Sequence, residues 1–426
     1  MRVGTAQAPL HGGRCPPWLF ARMRLLARAV VVHLVEAHGR EEFLRRLSDP
    51  LWFHAFGCVL GFDWNSSGVT TTVCGALKEG LSGTERELGL YICGGKGGVS
   101  RGTPGEIARY CDATGQDGDA LADASRMAAK VDSSCVQDGY ALYHHTFIFS
   151  VQNRWAVIQQ GLREADSTAR RYHWLGGPDD LAQLRTALAG EKAVPVQLTL
   201  DFGGARPASA HGQPTTNDGC PWHTQRADVT AGQAGSGTSG TSRSFVRDPH
   251  AAVAAQALSD TPVLNLVAGE AEGNRSGSIA ATRLAPRELL AELSRAPRDV
   301  LVLPRRHDVR PTDISPAYLE RILLRTYERR PENYESLVAL PGVGAKTLRA
   351  LSLVSELIYG QPASFRDPAR FSYAHGGKDG HPYPVNRVVY DEVIHQLGET
   401  VNAAKVAHGE KSAALKRLAE WGREGS

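Results

Sequence analysis

The chain has no apolar run long enough to cross a bilayer. The stretch from Ala29 to Val35 is short and is broken by His33, so no membrane span is expected. No signal peptide is evident either, and the cytoplasm is the expected location. There is no C-x-x-C pair among the seven cysteines, Cys15, Cys58, Cys74, Cys93, Cys111, Cys135 and Cys220. A scattered, odd-numbered set argues against a zinc ribbon or a disulfide framework and for small buried thiols in a reduced protein. Charge of one sign is also lacking. Lys and Arg number 48 against 45 Asp and Glu, a net +3 that excludes a polycation. No Walker A loop, Rossmann fingerprint or Ser-His-Asp elbow can be found, nor the strand-borne Asp with Glu-x-Lys of many metal nucleases.

What is present begins with size: 426 residues suffice for two or three domains with cores of their own. Pro16 and Pro17 suit the first turn of a helix over 16–37, and Ser48-Asp49-Pro50 starts another through Leu60. Thr103-Pro104-Gly105-Glu106 has the form of a capping box opening a helix to about Cys111, and 118–131 is helical in pattern. Leu88 to Cys93 has strand character. Tyr140 to Val151 and Arg154 to Ile158, joined at Gln152-Asn153, form a predicted β-hairpin. Asn65 and Ser66, beside Asp63, suit a cap for the segment from Thr70 to Leu77. The expected fold class is therefore α+β: a mixed N-terminal α+β domain over 1–185 with a β-hairpin, and a mostly helical C-terminal domain. Between them, 186–243 is low in complexity, and its Gly, Ser, Thr and Ala content predicts disorder. Residues 244–295 form a connecting helical region expected to return onto the N-terminal domain, 296–400 a helical region, and 401–426 a polar helical tail that frays.

The most specific string lies in the C-terminal region. Leu340-Pro341-Gly342-Val343-Gly344-Ala345-Lys346 separates a helical stretch ending at Ala339 from one running from Thr347 to Tyr359. Helix, Pro-Gly-Val-Gly turn and helix resemble the helix-hairpin-helix motif. Gly342 and Gly344 let the backbone turn tightly and approach a ligand, because no Cβ intrudes. Around Val343 the second helix begins, so its unpaired N–H groups and positive dipole end suit a phosphate. Lys346 adds a charge that opposes the dipole unless an anion is near. Such contacts position nucleic acid without reading sequence. From Arg295 to Arg349 Lys and Arg exceed Asp and Glu by four, a mild basic bias in the same region.

Three further stretches could carry chemistry. Gly94-Gly95-Lys96-Gly97-Gly98, with Arg101 and a helix start behind it, has the make-up of an anion cradle. Gly376-Gly377-Lys378-Asp379-Gly380 follows Phe371, Tyr373 and His375, so bases could stack while Lys378 meets phosphate. Gln137-Asp138-Gly139-Tyr140 enters the predicted hairpin, which carries His144 and His145 and is followed by Arg170, Arg171, Tyr172, His173 and Trp174. Strand alternation puts His144 and His145 on opposite faces, so a single site takes at most one of them. Asp138 with one of these histidines could hold a divalent metal or act as acid and base, and Arg170 and Arg171 could hold phosphate.

Pro9 to Gly13, Phe56 to Trp64, the first Gly-Gly-Lys loop, Gln137 to His145, Ala169 to Trp174 and the second Gly-Gly-Lys loop together resemble the domain-of-unknown-function 763 family. The resemblance spans most of the chain outside the low-complexity insert. It implies the helix-hairpin-helix at 334–359 and names no catalytic residue. The expected partner is nucleic acid, DNA rather than RNA, in repair or maintenance. An enzyme of this kind would use metal-assisted phosphodiester hydrolysis. Asp138 and His145 would hold Mg²⁺ or Mn²⁺ as the catalytic pair with Lys96, while Arg101, Arg170, Arg171, Lys346 and Lys378 meet phosphates. A non-catalytic DNA-binding accessory protein, an RNA-directed enzyme and a protein–protein adaptor stand as alternatives.

Overall fold

A computed structural model describes residues 15–62, 68–163, 168–189, 244–255, 262–295, 316–369, 371–372 and 387–424. The β-branched and aromatic stretches form the centre. Strands β1 (Leu90–Lys96), β3 (Ala141–Ser150), β4 (Trp155–Arg163), β5 (Thr168–Gly176), β6 (Ala252–Ala255) and β8 (Phe371–Ser372) make one sheet in the order β1-β3-β4-β5-β6-β8. All neighbours are antiparallel except β6 and β8. A second ladder pairs β2 (Val136–Gln137) with β7 (Leu264–Asn265).

The register sorts the sheet into two faces. Cys93, Phe147, Val157 and Trp174 stand opposite one another in a row across four strands, and the next row holds Ile92, Ile148, Ala156 and Leu175. Successive residues of a strand point to opposite sides, so the two rows feed two cores. The first row lies in the core under α7 (Thr103–Thr114), α8 (Gly118–Lys130) and α9 (Pro178–Ala189), which continues into α10 (Glu272–Ala281), α13 (Tyr334–Ala339) and α14 (Ala345–Tyr359). The second lies under α1 (Pro17–His38), α2 (Arg40–Leu47), α3 (Pro50–Leu60) and α4 (Gly68–Leu81). Against these pack α15 (Arg387–Ala403) and α16 (His408–Glu424). The fold is α+β, three layers deep, with helices on both faces of the sheet.

Several local expectations match the structure. Asp49 caps α3 by accepting from the N–H groups of Leu51 and Trp52. The hairpin turns at Gln152-Asn153, where Asn153 has φ of 59°. Cys58, Cys74, Cys93, Cys111 and Cys135 are buried and in no disulfide among the described residues. Three expectations are corrected. Thr103 opens α7 but does not cap it: its hydroxyl donates to Ser100 O, Gly102 takes the N-cap position, and Glu106 turns away to accept from Lys78 and from Gly94 N–H. The middle region contributes β6 to the sheet as well as helices, because Val253 and its neighbours complete the ladder beside β5. The C-terminal tail packs against the N-terminal helices as a helix over His408–Glu424. Ala414 and Leu418 are buried on the N-terminal helices, and Arg417 donates to Cys58 O and Val59 O at the end of α3. Asp63, Asn65 and Ser66, the 190–243 stretch, Tyr373, His375 and Lys378 lie outside the described residues.

Candidate functional site

A pocket of about 290 Å³ opens where β3, β4, the start of α7 and α8 meet. Local irregularities shape it. Gly94 has φ of +87°, and a Cβ there would sit 2.3 Å from His145 O, so β1 comes this close to β3 only with glycine. β3 slips register against β4 between Leu142 and His144, a bulge that re-aims the residues lining the pocket. A π-helical turn over Val131–Cys135 follows α8 and brings Asp132 inside.

The floor of the pocket is a chain of polar side chains. Ser125 Oγ lies 2.8 Å from His145 Nε2, and His145 Nδ1 lies 2.9 Å from Gln159 Oε1. Gln159 Nε2 donates to Asp132 Oδ2 at 2.5 Å and to Ala128 O at 3.2 Å. The same carboxylate accepts from Trp174 Nε1 at 2.9 Å and is bonded to His250 Nε2 at 2.5 Å. Two acceptors on Gln159 Nε2 fix the amide, so Oε1 faces the imidazole and Nδ1 must carry the proton. His145 Nε2 is then the lone-pair nitrogen, and Ser125 donates to it. Burial pushes the His145 pKa below the usual imidazole value, which keeps the ring neutral. Arg101 and Arg126 stand at the rim, both exposed. Arg101 makes no ion pair among the described residues, while Arg126 pairs with Asp123.

The structure separates the residues that the sequence grouped. Alternation does put His144 and His145 on opposite faces. His145 stands opposite Gly95 and Gln159, His144 opposite Lys96 and Gln160. Lys96 is thus aligned with the histidine outside the polar chain, and its Nζ lies 5.9 Å from the Tyr143 ring centroid. Asp138 does not join His145. It is fully buried, its Oδ2 accepting from Arg170 Nη1 at 3.0 Å and Tyr172 Oη at 2.5 Å, and its Oδ1 from Tyr140 N–H at 3.0 Å. Three of its four lone-pair positions are taken, and Arg170 already balances its charge. Among the described residues no three His, Cys, Asp or Glu side chains are grouped to hold one. The expected Asp138–His145 metal pair therefore does not fit this geometry.

Arg170 and Arg171 are also corrected: neither reaches the surface. Arg170 bridges Asp138 and Asp367 and lies 4.9 Å from the Tyr140 ring centroid. On the other face Arg171 donates to His173 Nε2 at 2.7 Å, Thr70 Oγ1 and Pro50 O. Both guanidiniums serve the interior and cannot grip an outside phosphate.

The α13–α14 turn is placed differently. Pro341, Gly342 and Lys346 are exposed, whereas Val343 is buried as an anchor. Gly342 has φ of +86°, and no side chain caps α14 at Gly344. Lys130, at the end of α8, donates to Val338 O at 2.6 Å and Leu340 O at 2.8 Å, covering the carbonyl end of α13. Gln137 donates to Ala345 O and fixes the start of α14.

Ser125, Gln159 and Asp132 carry the pocket, and sequence reasoning did not single out their roles. The available signal was a lone hydroxyl on the buried stripe of an alanine-rich helix, with Leu121 and Ala128 on the same side. Compared with models of known families, residues 4–200 and 237–385 match one described as Protein of unknown function (DUF763). The match passes over 201–236, inside the stretch of low-complexity composition. No curated protein and no solved structure matches.

Proposed function

The chain belongs to the DUF763 family, and we propose that it binds the backbone of nucleic acid, DNA rather than RNA, through the turn between α13 and α14. One observation carries this reading: the turn is held firmly from below and open above. Val343, Lys130 and Gln137 fix it to the body of the protein. A Cβ built on Gly344 would meet nothing within 4 Å. What faces outward is the uncapped first turn of a 15-residue helix with Lys346 in it. The opposing carbonyls of α13 are covered by a lysine. A phosphate oxygen is the ligand that such an arrangement of N–H dipoles and charge favours.

Gly344 also supplies the test. Its φ of −149° is open to any residue and its surroundings are empty, so Gly344→Val folds while its side chain occupies the space of an approaching phosphate. Fluorescence anisotropy with single-stranded DNA, duplex DNA and RNA is expected to show affinity falling about tenfold or more, the loss of one charge-assisted contact or more. Lys346→Ala is expected to lower the salt slope by about 1. Unchanged affinity in a folded Gly344→Val protein would end this reading, and tighter binding to RNA would reverse its preference.

A further inference from the structure

We propose that Ser125 is a nucleophile activated by His145, in a pocket that takes an anionic phosphodiester. The site stands apart from the α13–α14 turn and rests on none of the arguments made for it.

Hydroxyls inside helices usually donate back to a carbonyl of the preceding turn. Other helices of this chain behave so: Thr114 donates to Tyr110 O, Thr326 to Leu323 O and Thr400 to Gln396 O. Ser125 does not. Its hydroxyl leaves the backbone and points at His145 Nε2, 2.8 Å away. The amide of Gln159, locked by Asp132 and Ala128, holds His145 in the tautomer that accepts this proton. Nucleophile, base and orienting group are thus in the order that hydroxyl activation requires. The neutral ring is ready to act as a base.

A buried structural network would need no opening, but a pocket leads to this one. Its rim holds two guanidiniums, that of Arg101 and that of Arg126, which pairs with Asp123, and among the described residues no carboxylate lines it. That balance selects an anion. Pro104, Ala129 and Leu142 are the aliphatic side chains of the lining, and the charge at its mouth comes from Arg101 and Arg126. A phosphorus ester suits the site better than a carboxylic ester.

The reaction balances without a co-reactant other than water. Ser125 Oγ forms a bond to phosphorus as its proton passes to His145 Nε2. The bond from phosphorus to one ester oxygen breaks, and that oxygen leaves as an alcohol with the proton from Nε2. Water then adds to phosphorus, gives a proton to Nε2, and displaces Ser125, which recovers its proton. The products are a phosphomonoester and an alcohol. Gln159 is a positioning residue. Because it is neutral, it supports the imidazolium less than a carboxylate would, and Asp132 acts one link further back.

The test uses the full chain and bis(4-nitrophenyl) phosphate. Release of nitrophenolate is expected, together with a 4-nitrophenyl phosphoryl adduct on the peptide containing Ser125, read by mass spectrometry. Ser125→Ala removes the adduct and lowers turnover about a hundredfold or more, as does His145→Ala. Ser125→Ala fits an alanine-rich helix, and its thermal unfolding is expected to match that of the unaltered protein. Gln159→Glu is expected to move the acidic limb of the pH profile to higher pH, which a purely structural amide would not do. Absence of hydrolysis and adduct in the unaltered protein, or equal turnover in folded Ser125→Ala, overturns the proposal. DNA affinity measured on the same Ser125→Ala protein is expected to stay unchanged, so failure here is distinguishable from failure at the α13–α14 turn.

Discussion

Asp132 and Asp138 are both fully buried carboxylates, yet they do different things. Asp138 neutralises Arg170 and receives Tyr172 and the Tyr140 amide, an arrangement closed on itself. Asp132 receives Trp174 and Gln159 and is bonded to His250, and through Gln159 it reaches a histidine at the floor of a pocket. The consequences of substitution differ accordingly. Asp138→Ala leaves Arg170 buried with only Asp367 as its anionic partner, and is expected to cost about 3–5 kcal/mol in urea unfolding. An Asp138→Ala protein as stable as the original would show that the pair is not closed in solution.

At the scale of elements, the geometry of the pocket depends on how closely β1 approaches β3. Gly94 carries that approach, with His145 O and Thr103 Oγ1 at 2.3 and 2.6 Å from where a Cβ would be. Gly94→Ala is expected to lower stability by about 1–3 kcal/mol through backbone strain and to displace His145 from Ser125. Unfolding curves report the first effect, and the His145 ring resonances in NMR report the second. α8 links the two functional regions: Ser125 lies on the pocket, and Lys130 at its C-terminal end covers the carbonyls of α13. Five residues of helix separate them, a rise of about 7.5 Å. Lys130→Met keeps the aliphatic stem but uncovers those carbonyls. It is expected to weaken DNA binding without changing the 4-nitrophenyl phosphodiester reaction.

At the scale of the molecule, a sheet with helices on both faces hides three histidines that alternate between its sides. Burial holds the His144 pKa down to about 3, and pushes His145 below and His173 well below the usual imidazole value. The unfolded chain therefore takes up protons that the folded protein refuses. Stability is expected to be complete above about pH 6.5 and to fall as pH drops from there toward about 3, the value in the folded protein for His144, by up to about 1.4 kcal/mol per pH unit for each ring. Urea unfolding at a series of pH values checks this, and a flat profile across that window would contradict it. The same layering sets α15 and α16 against α1 and α3.

Much of the secondary structure was legible in the residues. Pro17 and Asp49 mark helix starts, and the aromatic and β-branched run before Asn153 marks the hairpin, because these signals act within a few residues of chain. The α13–α14 turn was legible for the same reason: glycine conformation and helix dipole are local properties. Alternation alone also assigned His144 and His145 to opposite faces. Which buried group meets which was decided only by the tertiary structure. Asp138, in the turn between β2 and β3, met Arg170 on β5 two strands away from β3, and Ser125 met His145 because α8 packs on β3. Such pairings join positions far apart in the sequence, and no periodicity within either segment records its partner.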